Sequence, residues 1–359
     1  MLLGFSLAFG LAEIAVRVIC PQETGPVHFA FNSVLGEIPV PNQKGWVTDP
    51  GVYDFTYSNN SLGFRGSPEC GPKKPNEFRI LLLGDSFTYG LGVNDNQTFG
   101  YHLEQSLRRH NLNAQVINAG NPGHGTDYTL KLFQTYGARL QPDVTVLYFL
   151  PDWFGRDARG EYYAIGRDGE LRAKRLKPAT GRIKTFLFHF PGYNWLISWS
   201  QAANLVKQAA VNYLVEANQE HNPEGGLTSG LVVFSKKDAT VFSDAANRKL
   251  TEIYVNHLRK AVRQAGSKLL TFYIPEAAEV EAYRRNGEIS RDERVFKEII
   301  ESQGDTLHSL TPVLAGDPEP IRSLYYVEGH WTPRAHELVG NYSAKYLLLE
   351  KRASAPKDK

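Results

Sequence analysis

Two apolar patterns alternate along most of this chain. Short runs of strand length recur at 79–84 (RILLLG), 114–119 (AQVINA), 144–150 (VTVLYFL), 268–274 (KLLTFYI) and 306–310 (TLHSL). Between them, apolar residues recur at helical spacing. Phe99, Leu103 and Leu107 mark a helix over Thr98 to His110, and Tyr128, Leu132 and Tyr136 mark the next. Leu250, Tyr254, Leu258 and Val262 predict another, Val295, Ile299 and Ile300 a fourth. A last helix from Pro333 to Glu350 carries Leu338, Tyr342 and Tyr346 on one face, with the proline suited to its first turn. Continuous apolar runs are typical of strands covered on both faces. Five of them alternating with helices predict a parallel sheet between two helix layers, a three-layer α/β/α sandwich.

Three stretches break the rhythm. Residues 1–20 are almost wholly apolar up to Val16, with Glu13 and Arg17 as the charges. That is slightly short for a span of about 20 residues and has no basic leader. The expectation is a signal anchor or the remnant of one, with an amphipathic helix packed on the domain as the alternative. Residues 21–75 are rich in Pro, Gly, Asn and Tyr without a long period, and read as an extended segment wrapping the core, ending at Gly71-Pro-Lys-Lys-Pro-Asn76. Residues 156–242 are Gly- and Tyr-rich, then aromatic (Phe186, Phe188, Phe190, Tyr193, Trp195, Trp199), then helical around 202–217, with a turn at Gly225-Gly226. An insertion of this length after a strand's carboxyl end predicts a lid or substrate platform, with membrane contact or a packed subdomain as the other uses. The sandwich itself is assigned to 76–155 and 243–350.

Composition excludes several classes. The chain has 359 residues, 42% hydrophobic and 22% charged, which is globular. A formal net charge of +2 gives no electrostatic case for nucleic acid. The basic clusters Arg172–Lys177, Arg182–Lys184 and Arg259-Lys260 with Arg263 are short and read as solvated faces. Cys20 and Cys70 lack metal-ligand spacing and a histidine partner, so neither zinc nor thiol chemistry is indicated. A Cys20–Cys70 disulfide is compatible with an oxidising compartment. No metal or cofactor motif is present, and the oligomeric state is not legible.

The candidate chemistry lies at two distant points. RILLLG ends at Gly84-Asp85-Ser86, a strand end that can present a hydroxyl at the carboxyl edge of a sheet; a polar turn capping a helix is the other reading. Near the other end, Glu328 and His330 stand two residues apart in the loop before the last helix, so the carboxylate can reach one ring nitrogen and leave the other as a base. A serine hydroxyl alone is a weak nucleophile. An imidazole must take its proton, and a carboxylate fixes the tautomer and stabilises the imidazolium. The remaining histidines read as surface or core residues, with His124 the least settled.

Gly84-Asp85-Ser86-Phe87-Thr88-Tyr89-Gly90 resembles the first block of the GDSL, or SGNH, hydrolase superfamily. Asn118-Ala119-Gly120-Asn121-Pro122-Gly123-His124-Gly125-Thr126 resembles its second block, and Glu328-Gly329-His330-Trp331-Thr332-Pro333 its last. Asn60–Gly66 and the apolar N-terminus with its Glu–Arg pair resemble the membrane-anchored bacterial branch. The resemblance covers about residues 60 to 155 and 243 to 348. It implies a flavodoxin-like sandwich, Ser86 as nucleophile, His330 as general base, and Glu328 where aspartate is usual. It also implies an oxyanion hole from the N–H groups of Ser86 and Gly123 and an asparagine after the third strand.

At that last position this chain has Asp152. An ionised carboxylate repels a developing oxyanion, and loss of such a donor costs about 10²–10³ in rate. Asp152 is either protonated by burial, turned away so that backbone donors act alone, or the mark of a degenerate site; Asn121 is near enough in sequence to stand in as a donor. The resemblance thus implies an extracytoplasmic serine esterase or O-acyltransferase acting on a short acyl ester, acetyl above all, of a carbohydrate or cell-envelope polymer. The alternative is a non-catalytic glycan-binding or assembly protein with the same fold. A lipase working at the membrane is a third idea, resting on the aromatic insertion and the anchor.

Overall fold

The computed structural model describes residues 2–25, 27–66, 68–166, 170–176, 191–210 and 245–354. Helix α1 (Leu2–Ile19) leads into two antiparallel pairs, β1 (Phe29–Asn32) with β2 (Gly36–Pro39) and β3 (Lys44–Asp49) with β4 (Tyr53–Ser58). Then come β5 (Phe78–Leu83), the short α2 (Ser86–Tyr89), α3 (Phe99–Arg109), β6 (Ala114–Asn118), α4 (Thr126–Leu140), β7 (Val144–Phe149) and α5 (Trp153–Ala158). A small pair, β8 (Tyr163–Ile165) and β9 (Leu171–Ala173), precedes α6 (Pro191–Trp199) and a helix over 201–210, α7. The chain continues with α8 (Ala245–Gln264), β10 (Lys268–Tyr273), α9 (Ala277–Asn286), α10 (Arg291–Glu301), β11 (Leu307–Ser309), α11 (Thr311–Ala315) and α12 (Pro333–Ser354).

The central sheet has five strands in the order β11-β10-β7-β5-β6, all parallel. It is the expected α/β/α sandwich. Every residue of β7 and all but the first of β5 are buried, because helices cover both faces. On one face α12 packs along α3, and Gly340 permits it: a Cβ there would lie 2.6 Å from the Phe99 carbonyl oxygen. On the other face α4 and α5 pack against α8. Thr98 starts α3 by accepting from Tyr101 N, and Gln141 ends α4 in the left-handed region. β5, β6 and β7 end close together, Asn118 of β6 opposite Leu82 and Leu83 of β5 opposite Leu147, with β7 running two residues further. The loops after them therefore open on one edge, the carboxyl edge where open α/β sheets bind ligands.

Three expectations change. Among the described residues no helix is long and apolar enough to cross a membrane. Instead α1 docks on α6 and α7 through its two charges. Glu13 accepts from Ser200 Oγ, Gln201 N and Ala202 N at 2.8–3.0 Å, capping α7, and pairs with Arg17, whose Nη2 donates to the Trp199 carbonyl. The segment 21–75 is not merely extended, since it contains the two antiparallel pairs. Cys20 and Cys70 are free thiols, the first at the end of α1 and the second beside Asn60. Phe186, Phe188, Phe190 and the Gly225-Gly226 turn lie outside the described residues.

Candidate active site

Ser86 is the first residue of α2, directly after β5. The turn is too tight for a side chain at Gly84, whose Cβ would lie 2.0 Å from Thr88 Oγ1. Asp85, fully buried, caps α2 by accepting from Phe87 N at 3.1 Å, so both sequence readings of the turn hold at once: the aspartate caps and the serine is presented. The loop after β6 is wired to this turn. Asn118 Nδ2 donates to the Thr88 carbonyl at 2.7 Å and its Oδ1 accepts from Gly120 N at 3.1 Å. Asn121 N donates to the Gly84 carbonyl. Any Cβ at Gly120 would sit 2.3 Å from Tyr89 N.

His330 arrives from the opposite end of the chain. Its Nε2 lies 2.9 Å from Ser86 Oγ, and its Nδ1 3.3 Å from Glu328 Oε1. Glu328 Oε2 also accepts from the His330 backbone N–H at 2.9 Å. Gly329, at φ 105, turns the loop so that the carboxylate folds back on the ring two residues later. With Nδ1 beside the Glu328 carboxylate, Nε2 is left to accept the serine proton. The ring rests against Phe87 (centroids 5.0 Å apart), which meets buried Trp331 edge-on, so the apolar packing that sets the loop also orients the imidazole. Glu328 and His330 are each about a quarter exposed, at 26% and 23% of their side chains.

Gly123 is in the left-handed region at φ 83, in a loop held from both sides. His124 Nε2 donates to the Glu37 carbonyl at 3.1 Å and Nδ1 accepts from Tyr162 OH at 3.3 Å, while the ring stacks on Tyr128. Burial pushes its pKa down to about 3 although the Glu37 contact opposes this, so the histidine is a neutral core residue. His336 is likewise core: its Nδ1 accepts from Phe99 N at the start of α3, and burial holds it neutral. Asn121, named as a stand-in donor, sends its Nδ2 to the Glu37 carbonyl at 2.8 Å.

Asp152 begins α5, and its Oδ2 accepts from Arg156 Nε at 2.8 Å and Nη2 at 2.6 Å. Arg156 Nη1 donates to Asp85 Oδ2 at 2.9 Å and to the His124 carbonyl at 3.0 Å. Desolvation would lower the guanidinium's pKa, but Asp152 and Asp85 outweigh it and raise it, so Arg156 carries a full charge. Burial pushes the Asp85 carboxyl up, with Arg156 opposing. Asp152 is thus neither isolated nor aimed freely at the site, because a counter-ion holds it. Next to it Asp157 Oδ1 accepts from Thr126 N at 2.7 Å and its Oδ2 from Thr251 Oγ1 at 2.6 Å; burial raises its pKa to about 6. Arg156 and Asp157 escaped the sequence reading, though a basic residue four after Asp152 on a helix is the spacing of an ion pair.

Ser86, His330 and Glu328 come together within hydrogen-bonding or ion-pair distance, and Gly123 and Asp152 stand in the loops beside the same sheet edge. The three sequence blocks that resemble the GDSL/SGNH hydrolases therefore meet at one site on the expected fold. No family model and no curated protein matches the chain. Among solved structures it is similar to a lipase/acylhydrolase from Enterococcus faecalis (15% identity, 78% of this chain and 99% of that one, TM-score 0.39). It is also similar to a Clostridium thermocellum family 3 carbohydrate esterase (11% identity, 77% and 98%, TM-score 0.38). A two-domain esterase active on acetylated mannans matches at 14% identity and TM-score 0.39, over 79% of this chain and about half (51%) of that one.

Proposed function

We propose that the protein is an SGNH-type serine ester hydrolase, or an O-acyltransferase using the same acyl-enzyme, with Ser86, His330 and Glu328 as its triad. The observation that carries this reading is the 2.9 Å contact between Ser86 Oγ and His330 Nε2, with Nδ1 turned to Glu328. Ser86 Oγ attacks the ester carbonyl as its proton passes to Nε2. Glu328 stabilises the imidazolium so formed. The oxyanion gathers negative charge near the N–H groups of Ser86 and Gly123. Collapse of the tetrahedral intermediate expels the alcohol, which takes the proton from Nε2. Water, or an acceptor hydroxyl in a transferase, then gives its proton to Nε2 and attacks the acyl-enzyme; the acyl–Oγ bond breaks, releasing the acid or the new ester, and Ser86 Oγ takes the proton back from Nε2.

The substrate class follows the sequence blocks: a short acyl ester, acetyl above all, on a carbohydrate or cell-envelope polymer. Residues 156–242 would supply the platform over the site, and 76–155 with 243–350 the catalytic domain. Extracytoplasmic placement goes with the exposed face of α1, where Leu7, Leu11, Ile14 and Val18 recur at helical spacing. Such a face suits a lipid surface, and Leu11→Asp with Ile14→Asp should reduce co-sedimentation with anionic vesicles. The non-catalytic glycan-binding alternative draws on Asp152 in place of asparagine. Hydrolysis of p-nitrophenyl acetate separates the two. Turnover by the wild type that falls at least 10³-fold in Ser86→Ala is expected, and equal rates would remove Ser86 from the mechanism.

A further inference from the structure

Arg156 reaches the Ser86 turn, the Gly123 loop and Asp152 with a single side chain. Its Nη1 binds Asp85, the residue that caps the nucleophile helix, and also the carbonyl of His124, the residue next to Gly123. Its Nε and Nη2 grip Asp152, in the position where an asparagine donor is expected. The guanidinium is only 6% exposed, so these bonds act in a medium that screens them little. A fourth contact reinforces the grip on the loop. Asp157, next in sequence, accepts from Thr126 N just beyond it, and a Cβ at Gly125 would be 3.0 Å from Arg156 Cβ, so α5 lies directly on the loop backbone.

Asp152 poses an electrostatic problem that this arrangement answers. Its Oδ2 is taken up by Arg156, while Oδ1 is buried with no hydrogen-bond partner among the described residues. Without a counter-ion, that carboxylate would add negative charge beside a forming oxyanion. We propose that Arg156 is the positioning residue of this site: it cancels the charge of Asp152 and clamps the Gly123 loop to the Ser86 turn, so that the aspartate–arginine pair replaces a neutral asparagine. Arg156 need not touch substrate. Its plane and several donors reach three acceptors at once, which a single ammonium cannot do.

The inference rests on the esterase reading, and a double-mutant cycle on p-nitrophenyl acetate hydrolysis tests it. Arg156→Met should lower kcat by about 10²–10³, the cost of a spoiled oxyanion environment, with KM changed less than threefold. Asp152→Asn should then raise kcat at least fivefold more in the Arg156→Met background than in the wild type, because only there is an uncancelled charge removed. Arg156→Lys, which keeps the charge but not the three-way reach, should lose about tenfold and gain less than twofold from Asp152→Asn, and Arg156→Gln carries the charge test if Arg156→Met does not fold. A purely structural role would lower stability and activity together and give no gain from Asp152→Asn. Coupling below fivefold, or a kcat in Arg156→Met within threefold of wild type, overturns the proposal. Wild type that fails to turn over the ester at all instead removes the reading beneath it.

Discussion

Glu328→Gln keeps the shape of the carboxylate and removes its charge, so it isolates the electrostatic contribution of Glu328 to the imidazolium. At the 3.3 Å separation from Nδ1, unit charges attract by about 1.3 kcal/mol at the dielectric of water and about 5 kcal/mol at an effective dielectric of 20. Both side chains are roughly a quarter exposed, so water screens the pair and the lower half of that range applies, about 1.5–3 kcal/mol. At 1.36 kcal/mol per decade, kcat/KM should fall about 10- to 10²-fold. A carboxylate buried under its histidine is worth about 10⁴ in the serine protease triad, so exposure makes a measurable difference here. The assay is kcat/KM for p-nitrophenyl acetate hydrolysis, with circular dichroism to verify the fold. A loss under twofold would mean Glu328 does not act on His330 in the transition state. A loss above 10⁴ would show that the screening argument is wrong.

Other consequences follow from close contacts and buried charge. Gly120→Ala should cost about 1–3 kcal/mol and more than tenfold in activity, since the new Cβ meets Tyr89 N at 2.3 Å and backbone has no room to yield; a thermal melt and rate unchanged from wild type would contradict the packing. Burial alone would raise the Glu13 pKa, but the N–H groups of Gln201 and Ala202, Ser200 and Arg17 outweigh it and hold it at about 2, against 4.5 when free. The folded-state value is depressed, so the stabilisation, about 3 kcal/mol at most, is present above pH 4.5 and lost as pH falls towards 2. The melting-temperature gap between wild type and Glu13→Gln should therefore close over that window, and a gap independent of pH would refute the capping role.

The central strands β5, β7 and β10 were legible because each is a largely apolar run, and β6, β7 and β10 end within one residue of the expected limits. Helix α9 was not, because Val280 is its one buried residue among those ten and no apolar stripe marks it. The pairs β1–β2 and β3–β4 hid in a segment without a long period, because each is a local hairpin of short strands joined by a three-residue turn. The site divides the same way. Ser86, Glu328 and His330 could be named because they sit in short motifs whose chemistry needs those residue types. Arg156 could not, since its partners Asp85 and the His124 carbonyl are brought to it by the fold. The N-terminus reads as an anchor because its composition is apolar, whereas the fold uses its two charges in place: Glu13 caps α7 and Arg17 Nη2 donates to the Trp199 carbonyl at the end of α6.

The central claim is that Ser86 is a nucleophile activated by His330. Peptide mapping of the protein after brief exposure to a fluorophosphonate tests it most directly. The account predicts a single adduct on the peptide carrying Ser86, absent in Ser86→Ala and formed at least 10²-fold more slowly in His330→Ala. No adduct on the wild type, or one that persists in Ser86→Ala, would contradict it.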